Sequence, residues 1–475
     1  MGFGSIEKEE FKPLVAITAG LGCFFAWTHA SFFMPAVSRA APTSGLDSVW
    51  LLSNIVTLVM LAVLMAFHRQ IDKSVSERSF SVAVLVVAVA GTALLNVGLV
   101  MNLDFLAHSG SLVASAANMA MMAMWAHSYR ALSSMSRRKF ATLAAMALSC
   151  ALYLLMLVVP IPVAAVAVTV LPVASMGAYW AAERSAGDLP LKRRSRRKFT
   201  RSRLPVAMII FFFIISVPLN FLRTVSASAA GYDFAHDMQA TMALTLVLVL
   251  AVIGLEVFAD KRKTTLVPLS IMTVFTLSLI FVAFRSSGSV DLVSLLVFSG
   301  YYLFIAMMYY EMGSIVAQTD VSPTWVFALG SLANAGGLIV GALLGLGLAS
   351  IASSFTAAIT LGITYVVIIS VFVFLPNSAY RLFMARVPIE IEVPDNALVE
   401  TIEKGCRILA RKFDLSSREE EVLAYIARGR NLQTIGEEMH LSLNTIKTHV
   451  KHIYQKCDVH NQEELMIALE DVYRQ

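Results

Sequence analysis

Apolar runs of about 18 to 24 residues recur along the first three quarters of this chain, and a helix of that length spans a hydrocarbon layer of about 30 Å. We read about twelve such runs, near 13–36, 48–67, 80–101, 109–130, 140–159, 163–182, 204–224, 238–258, 265–284, 292–313, 325–349 and 355–375. With 57% of its 475 residues hydrophobic and 15% charged, the chain is far more apolar than a globular domain, in which about a quarter of the residues carry charge. An all-α fold follows, with a polytopic membrane bundle over residues 1–375.

An even number of spans puts both ends of the bundle on one side, and the loop charges say which side. Counted from an inner N-terminus, the inner loops hold Arg69, Lys73 and Arg78, then Arg130, Arg137, Arg138 and Lys139, and later Lys261, Arg262 and Lys263. The outer loops and helix ends offer Arg39, Arg223 and Arg285. Positive residues collect in cytoplasmic loops, so both termini are expected in the cytoplasm and the bundle in the inner, cytoplasmic membrane. The most basic stretch, "ERSAGDLPLKRRSRRKFTRSR", lies between the sixth and seventh spans. It reads as an inner loop touching anionic lipid, and it divides the bundle into six plus six helices. The N-terminal "MGFGSIEKEEFKP" carries acids as well as lysines, and the run after it is too long for a signal-peptide core. The first span is therefore expected to stay in place. Cys23, Cys150, Cys406 and Cys457 share no metal-ligand spacing, and no disulfide, metal or cofactor is expected.

The short inner loops after spans two and eight read "HRQIDKSVSER" and "ADKRKT", with Asp72-Lys73 and Asp260-Lys261 near their starts. These pairs resemble the loop motif of the major facilitator superfamily, which recurs at these two places, although its leading glycine is missing from both copies. The resemblance implies a facilitator-like bundle whose spans one, four, seven and ten line a central cavity. Polar side chains inside spans are costly and mark such cavities. On those spans His29, Asn118, Asn220, Arg223, Tyr301 and Tyr302 are candidates to meet a small-molecule ligand arriving from outside. Each also has a plainer role: an asparagine bonds a neighbouring helix, a tyrosine packs, and Arg223 snorkels to the outer interface. Gly337, Gly341 and Gly345 stand four apart in "NAGGLIVGALLGLGL" and read as a close helix contact rather than a binding feature.

After span twelve the composition changes, and no later stretch is long and apolar enough to cross a bilayer. Residues 376–412 read as a cytoplasmic linker, helical in part over "ALVETIEKGCRILARKF", able to reach about 100 Å when extended. Residues 413–475 hold four helix-start signals. Ser416 with Glu419 fits a capping box before "REEEVLAYIARG", Asn431 precedes "LQTIGEEMH", Ser442 precedes "LNTIKTHVKHIYQK", and Asn461 with Glu464 fits another box before "ELMIALEDVY". Four short helices are the size of a helix-turn-helix domain. In the third, Leu443, Ile446, Val450 and Ile453 recur at three- and four-residue steps and are expected to face a core, with Lys447, Lys451 and Lys456 crowding the other side. Asn444, Lys447, Thr448, Lys451 and Gln455 line up on a face whose chemistry suits a major groove. Lysines neutralise phosphates and reach guanine edges, Asn and Gln contact adenine, and the Thr methyl packs on thymine.

The stretch "LSSREEEVLAYIARGRNLQTIGEEMHLSLNTIKTHVKHIYQKCDVHNQEEL" resembles the DNA-binding domain of the LuxR family almost throughout. By that resemblance Lys447, Thr448 and Lys451 address the major groove of double-stranded DNA, Thr445 touches the backbone, and Arg418 and Glu419 brace the domain. The resemblance also implies a homodimer paired through the fourth helix. Gly436 stands where the family has alanine, Cys457 where it has leucine, and Asn461-Gln462 where an arginine region is usual. No nucleotide-binding glycine loop, metal-ligand cluster or nucleophile with a base is present in the sequence, which reads as a non-enzyme. Together the two resemblances imply a membrane-bound one-component transcription regulator that senses a small molecule or a membrane signal. The alternative they imply is a secondary transporter of the facilitator type with a regulatory cytoplasmic tail.

Overall fold

Inside a hydrocarbon layer no water is present to bond backbone polar groups, so apolar runs answer with helices that satisfy themselves. The computed structural model describes residues 8–33, 43–132, 135–187, 206–227, 234–258, 290–349, 405–427, 435–436, 438–439, 441–459 and 464–465, and among them there is no β-sheet. The chain divides into two compact units, Met1–Pro388 and Ile389–Gln475.

Among the described residues, the first unit holds α1 (Lys8–Thr28), α2 (Thr43–Ala66), α3 (His68–Ser74), α4 (Arg78–Met101), α5 (Asp104–Ser128), α6 (Met135–Val158), α7 (Ile161–Gly187), α8 (Val206–Ala227), α9 (Phe234–Phe258), α10 (Val290–Gln318) and α11 (Pro323–Ala349). The spans expected at 265–284 and 355–375, the Asp260-Lys261 loop and the basic run of residues 188–205 lie outside the described residues. Phe11–Ser31, Arg78–Met101, Arg137–Val158, Ile161–Ser185 and Pro323–Gly347 are each long and apolar enough to cross a membrane. Helix α5 is not among them; it carries Ser111, Ser115 and Asn118, all three buried, among its apolar residues. The loop expected after span two is the short helix α3, which leaves α2 at 87°.

Packing in the first half is stitched by indole and amide donors. Helix α1 lies against α6 and α7, and α4 against α5 and α7. Trp27 Nε1 donates to Thr92 Oγ1 (2.8 Å), Asn96 Nδ2 to the Ala165 carbonyl (3.0 Å), and Trp125 Nε1 to Ser175 Oγ (3.0 Å). The α8–α11 pair in the second half is in close backbone contact. A Cβ at Gly337 or Gly341 would collide with the Phe213 or Val217 carbonyl, and at Gly345 it would press on Thr224. Small residues here let two backbones meet. The halves join where α2 packs on α11 and α6 on α9. Counted along the twelve spans expected from the sequence, these pairs are two with eleven and five with eight, which a two-fold relation between two sets of six would interchange.

The second unit contains a helix over residues 405–412, α12 (Ser417–Ala427) and α13 (Leu443–Cys457), with further helical residues at 435–436 and 464–465. Its core joins Cys406 and Leu409 with Val422, Leu423, Ile426, Ile435, Ile446, Ile453 and Leu465. The helical part of the stretch read as linker therefore packs into this unit. Asn431, Asn461 and most of the fourth expected helix lie outside the described residues.

Candidate functional site

Two sites emerge, one in each unit. In the second unit, Ser442 is the N-cap of α13, its Oγ accepting from the Thr445 N–H at 3.1 Å. Such a cap satisfies one of the orphan donors of the first turn. Ile446, Val450, Ile453 and Cys457 are buried on one edge of the helix. Leu443 is not: it is 41% exposed. It occupies the first helical position, before the helix has turned its inner face to the core, and Cys457 completes the apolar edge instead. Lys456 also departs from the expected crowded face. Its Nζ turns inward to the Asp414 carbonyl (2.9 Å) and Glu419 Oε2 (2.8 Å).

Asn444, Lys447, Thr448, Lys451 and Gln455 all stand exposed. Thr445 is half-buried, with its hydroxyl 2.8 Å from Ser442 Oγ. Thr448 Oγ1 donates back to the Asn444 carbonyl at 2.9 Å, which occupies the hydroxyl and leaves the methyl group to make outside contacts. Lys447 and Lys451 are one turn apart on this free face.

Glu419 holds the face to the rest of the unit. Its Oε2 accepts from the Ser416 N–H (2.8 Å) while Ser416 Oγ accepts from the Glu419 N–H (3.3 Å), a reciprocal capping box. The same carboxylate takes Lys456 from the last turn of α13, and His452 Nδ1 lies 3.6 Å from Oε1. Burial pushes this carboxyl up, but the bonds from Lys456 and Ser416 outweigh it and hold it at about 2. Gly436 sits where a Cβ would come 2.9 Å from the Leu441 carbonyl, so the alanine usual in the family would force the turn before α13 to shift.

In the first unit a cavity of about 120 Å³ opens between the halves. His29 lies on its wall at the point where α1 widens into the π-helical turn His29–Phe33; such turns are frequent at functional sites. His29 Nδ1 lies 2.9 Å from Ser149 Oγ, and its ring meets Tyr302 edge-on at 4.7 Å. Asn118, Tyr301 and Tyr302 line the same cavity. Asn220 does not: its Nδ2 donates to the Leu338 carbonyl at 2.6 Å, tying α8 to α11. The side chain of Arg223 lies outside the described residues. Asn54, Ser115 and Asn334 are lining residues that a search confined to spans one, four, seven and ten for larger polar groups passes over. The signal for Ser115 is its three-residue step to Asn118 on α5.

At the α3 end of the bundle, Asp72 joins the two halves. Oδ1 accepts from His127 Nε2 of α5 at 2.9 Å and from Thr324 Oγ1, at the start of α11, at 2.5 Å. Burial raises this carboxyl, yet bonds from His127, Ser322 and Thr324 hold it at about 2. Arg130 adds a second tie, donating to the Val321 carbonyl at 2.8 Å.

The family described as bacterial regulatory proteins, luxR family, matches residues 414–469. The HTH-type transcriptional regulator MalT of Vibrio campbellii is 34% identical over 64 residues, which is 14% of this chain and 7% of that protein. The transcriptional regulatory protein LiaR of Bacillus subtilis is 38% identical over 53 residues, 11% of this chain and 25% of that protein. The chain thus spans a quarter or less of these relatives' length, and the family match lies within the second unit. The rest resembles solved transporters in fold. A bacterial homologue of the iron transporter ferroportin, outward-facing, aligns over 78% of this chain and 100% of its own at a TM-score of 0.52 and 13% identity. The major facilitator superfamily transporter FucP, in the outward conformation, aligns over 78% and 99% at a TM-score of 0.50 and 13% identity.

Proposed function

We propose that this chain, a major-facilitator-fold bundle joined to a LuxR-family helix-turn-helix, is a membrane-bound one-component transcription regulator. The bundle lies in the inner membrane with both termini cytoplasmic, senses a small molecule in the cavity between its halves, and governs the tethered domain's binding to DNA. The observation that carries this is the exposed face of α13, where Lys447, Thr448 and Lys451 stand free in a unit with its own core. Lys447 and Lys451 address phosphates and guanine edges, Asn444 and Gln455 adenine, the Thr448 methyl thymine, and Thr445 the backbone. Two copies pair through their C-terminal ends. The reading is non-enzymatic.

The ligand acts by binding one arrangement of the two halves more tightly than the other, since equal affinity for both shifts nothing. The test is DNA binding by residues 389–475 across a salt series. Lys447→Ala and Lys451→Ala are each expected to weaken binding about tenfold and to lower the salt slope by about one. A soluble unit with no salt-dependent DNA binding would sink the proposal.

The rival is a secondary transporter with a regulatory tail, and the cavity shared by both halves favours it. Counterflow in proteoliposomes separates the two. Flux of a solute, with no transcript altered by deletion of the tail, supports the transporter.

A further inference from the structure

We infer that the cavity takes an uncharged, planar six-membered ring with N–H or O–H groups on its edge, the chemistry of a pyrimidine base or a simple phenol. The inference rests on the cavity being the ligand site of the proposed regulator, and it names what that ligand must look like. Size comes first. A cavity of about 150 Å³ accommodates benzene, so the 120 Å³ here matches a single ring rather than a sugar chain, a peptide or a fused polycycle.

Charge comes second. Among the described lining residues there is no carboxylate, guanidinium or ammonium group, and a charged ligand taken out of water without a partner is strongly disfavoured. The walls are flat and polarisable. Phe25 meets Tyr309 edge-on at 4.9 Å and His29 meets Tyr302 at 4.7 Å, with Met119, Met122 and Met308 beside them. Ring edges and thioether sulfurs both favour an aromatic guest.

The polar atoms specify the edge. Thr28 Oγ1 donates to the Phe24 carbonyl, so it must accept from Asn118 Nδ2 at 2.8 Å. That fixes the amide and turns Asn118 Oδ1, an acceptor with no protein partner among the described residues, to the cavity. Ser115 lines the cavity, and its buried Oγ has no partner among the described residues. On α11, Asn334 Oδ1 accepts from Ser216 Oγ and Tyr301 Oη. An N–H or O–H on the ring answers Asn118, and the Ser115 hydroxyl completes the match from the same helix.

The experiment is a thermal-shift titration of the full-length protein in lipid nanodiscs with uracil, phenol, glucose and benzoate, followed by DNA occupancy with the same compounds. Uracil or phenol is expected to raise the melting temperature saturably, with no shift from glucose or benzoate. Asn118→Leu should weaken the response about tenfold. Ser115→Ala breaks no bond to a described residue, so it should fold normally yet weaken the response several-fold, which separates lost binding from misfolding. Stabilisation by glucose or benzoate in place of the neutral rings, or by none of the four at millimolar concentration, overturns the assigned ligand class. Stabilisation by a neutral ring with unchanged DNA occupancy keeps the ligand class and overturns the regulator reading instead.

Discussion

Glu419 ties two helices of the second unit together, because one carboxylate both caps α12 and receives Lys456 from the last turn of α13. Glu419→Gln separates these duties. Glutamine still serves in a capping box, so the change removes the charge and leaves the cap. At about 1.4 kcal/mol per pH unit, a carboxyl held at about 2 corresponds to roughly 3 kcal/mol against its ordinary value. Lys456 is partly exposed, and solvent screening of its end of the pair brings the working figure to about 1.5 kcal/mol. The sign follows from the direction of the shift. A depressed carboxyl stabilises fully above its unfolded value and loses that contribution as pH falls toward the folded one. Urea denaturation of residues 389–475 at neutral pH should therefore find Glu419→Gln less stable by about 1.5 kcal/mol, or about 9 °C in melting temperature for a unit of this size. The gap between the two proteins should close between about pH 5 and pH 2. Equal stabilities at neutral pH, or a gap that acid leaves unchanged, would refute the reasoning.

Leu443→Ala should cost less than about 0.5 kcal/mol because the side chain is exposed, whereas Ile446→Ala, three residues on and fully buried, should cost about 2 to 5 kcal/mol; the same denaturation assay ranks them, and equal costs would put Leu443 back in the core. Asp72→Asn removes the charge that His127 and Thr324 both bond, and should speed amide hydrogen exchange in the turn before α11 about tenfold, as expected for a charge-assisted bond of about 1.5 kcal/mol. Unchanged exchange there would mean that Asp72 does not hold the halves together.

Helix positions along the bundle follow from the length of apolar runs, since a bilayer offers the backbone little alternative. Helix α4 runs from Arg78 to Met101 against an expected 80–101, and α11 from Pro323 to Ala349 against 325–349. The glycines of α11 were equally legible, because spacing of four leaves one helix face without side chains. Run length does not encode partners. Asn118 and Asn220 look alike in sequence, each an amide inside an expected span, yet one borders the cavity and the other is spent on the Leu338 carbonyl. Only the approach of α8 to α11, set by residues more than a hundred positions away, decides between those roles. Periodicity likewise overcommits at a helix end. Leu443 has the spacing of a core residue, but it precedes the first full turn. Lys456 has the spacing of a free lysine, but Glu419 on another helix draws it in.

Cavity and latch are built on the same two helices, and this gives the proposed regulator a route between them. Asn118 and His127 share α5, and Asn334 and Thr324 share α11. Nine or ten helical residues separate the members of each pair, about 14 Å along the axis. A ligand that draws α5 and α11 together at the cavity therefore acts on two rods whose far ends carry the Asp72 tie. Turning a bundle from 1:99 to 99:1 requires about 5.5 kcal/mol of preference for one state, more than one hydrogen bond from a single ring supplies. Asp72 accepts from His127 and Thr324, and Arg130, just past the end of α5, bonds the Val321 carbonyl. Charge-assisted bonds of about 1.5 to 3 kcal/mol each bring the sum into that range when they break or form together. The ligand then needs only to tip a balance that the latch makes steep, which is how a small neutral molecule can act through the bundle of the proposed regulator.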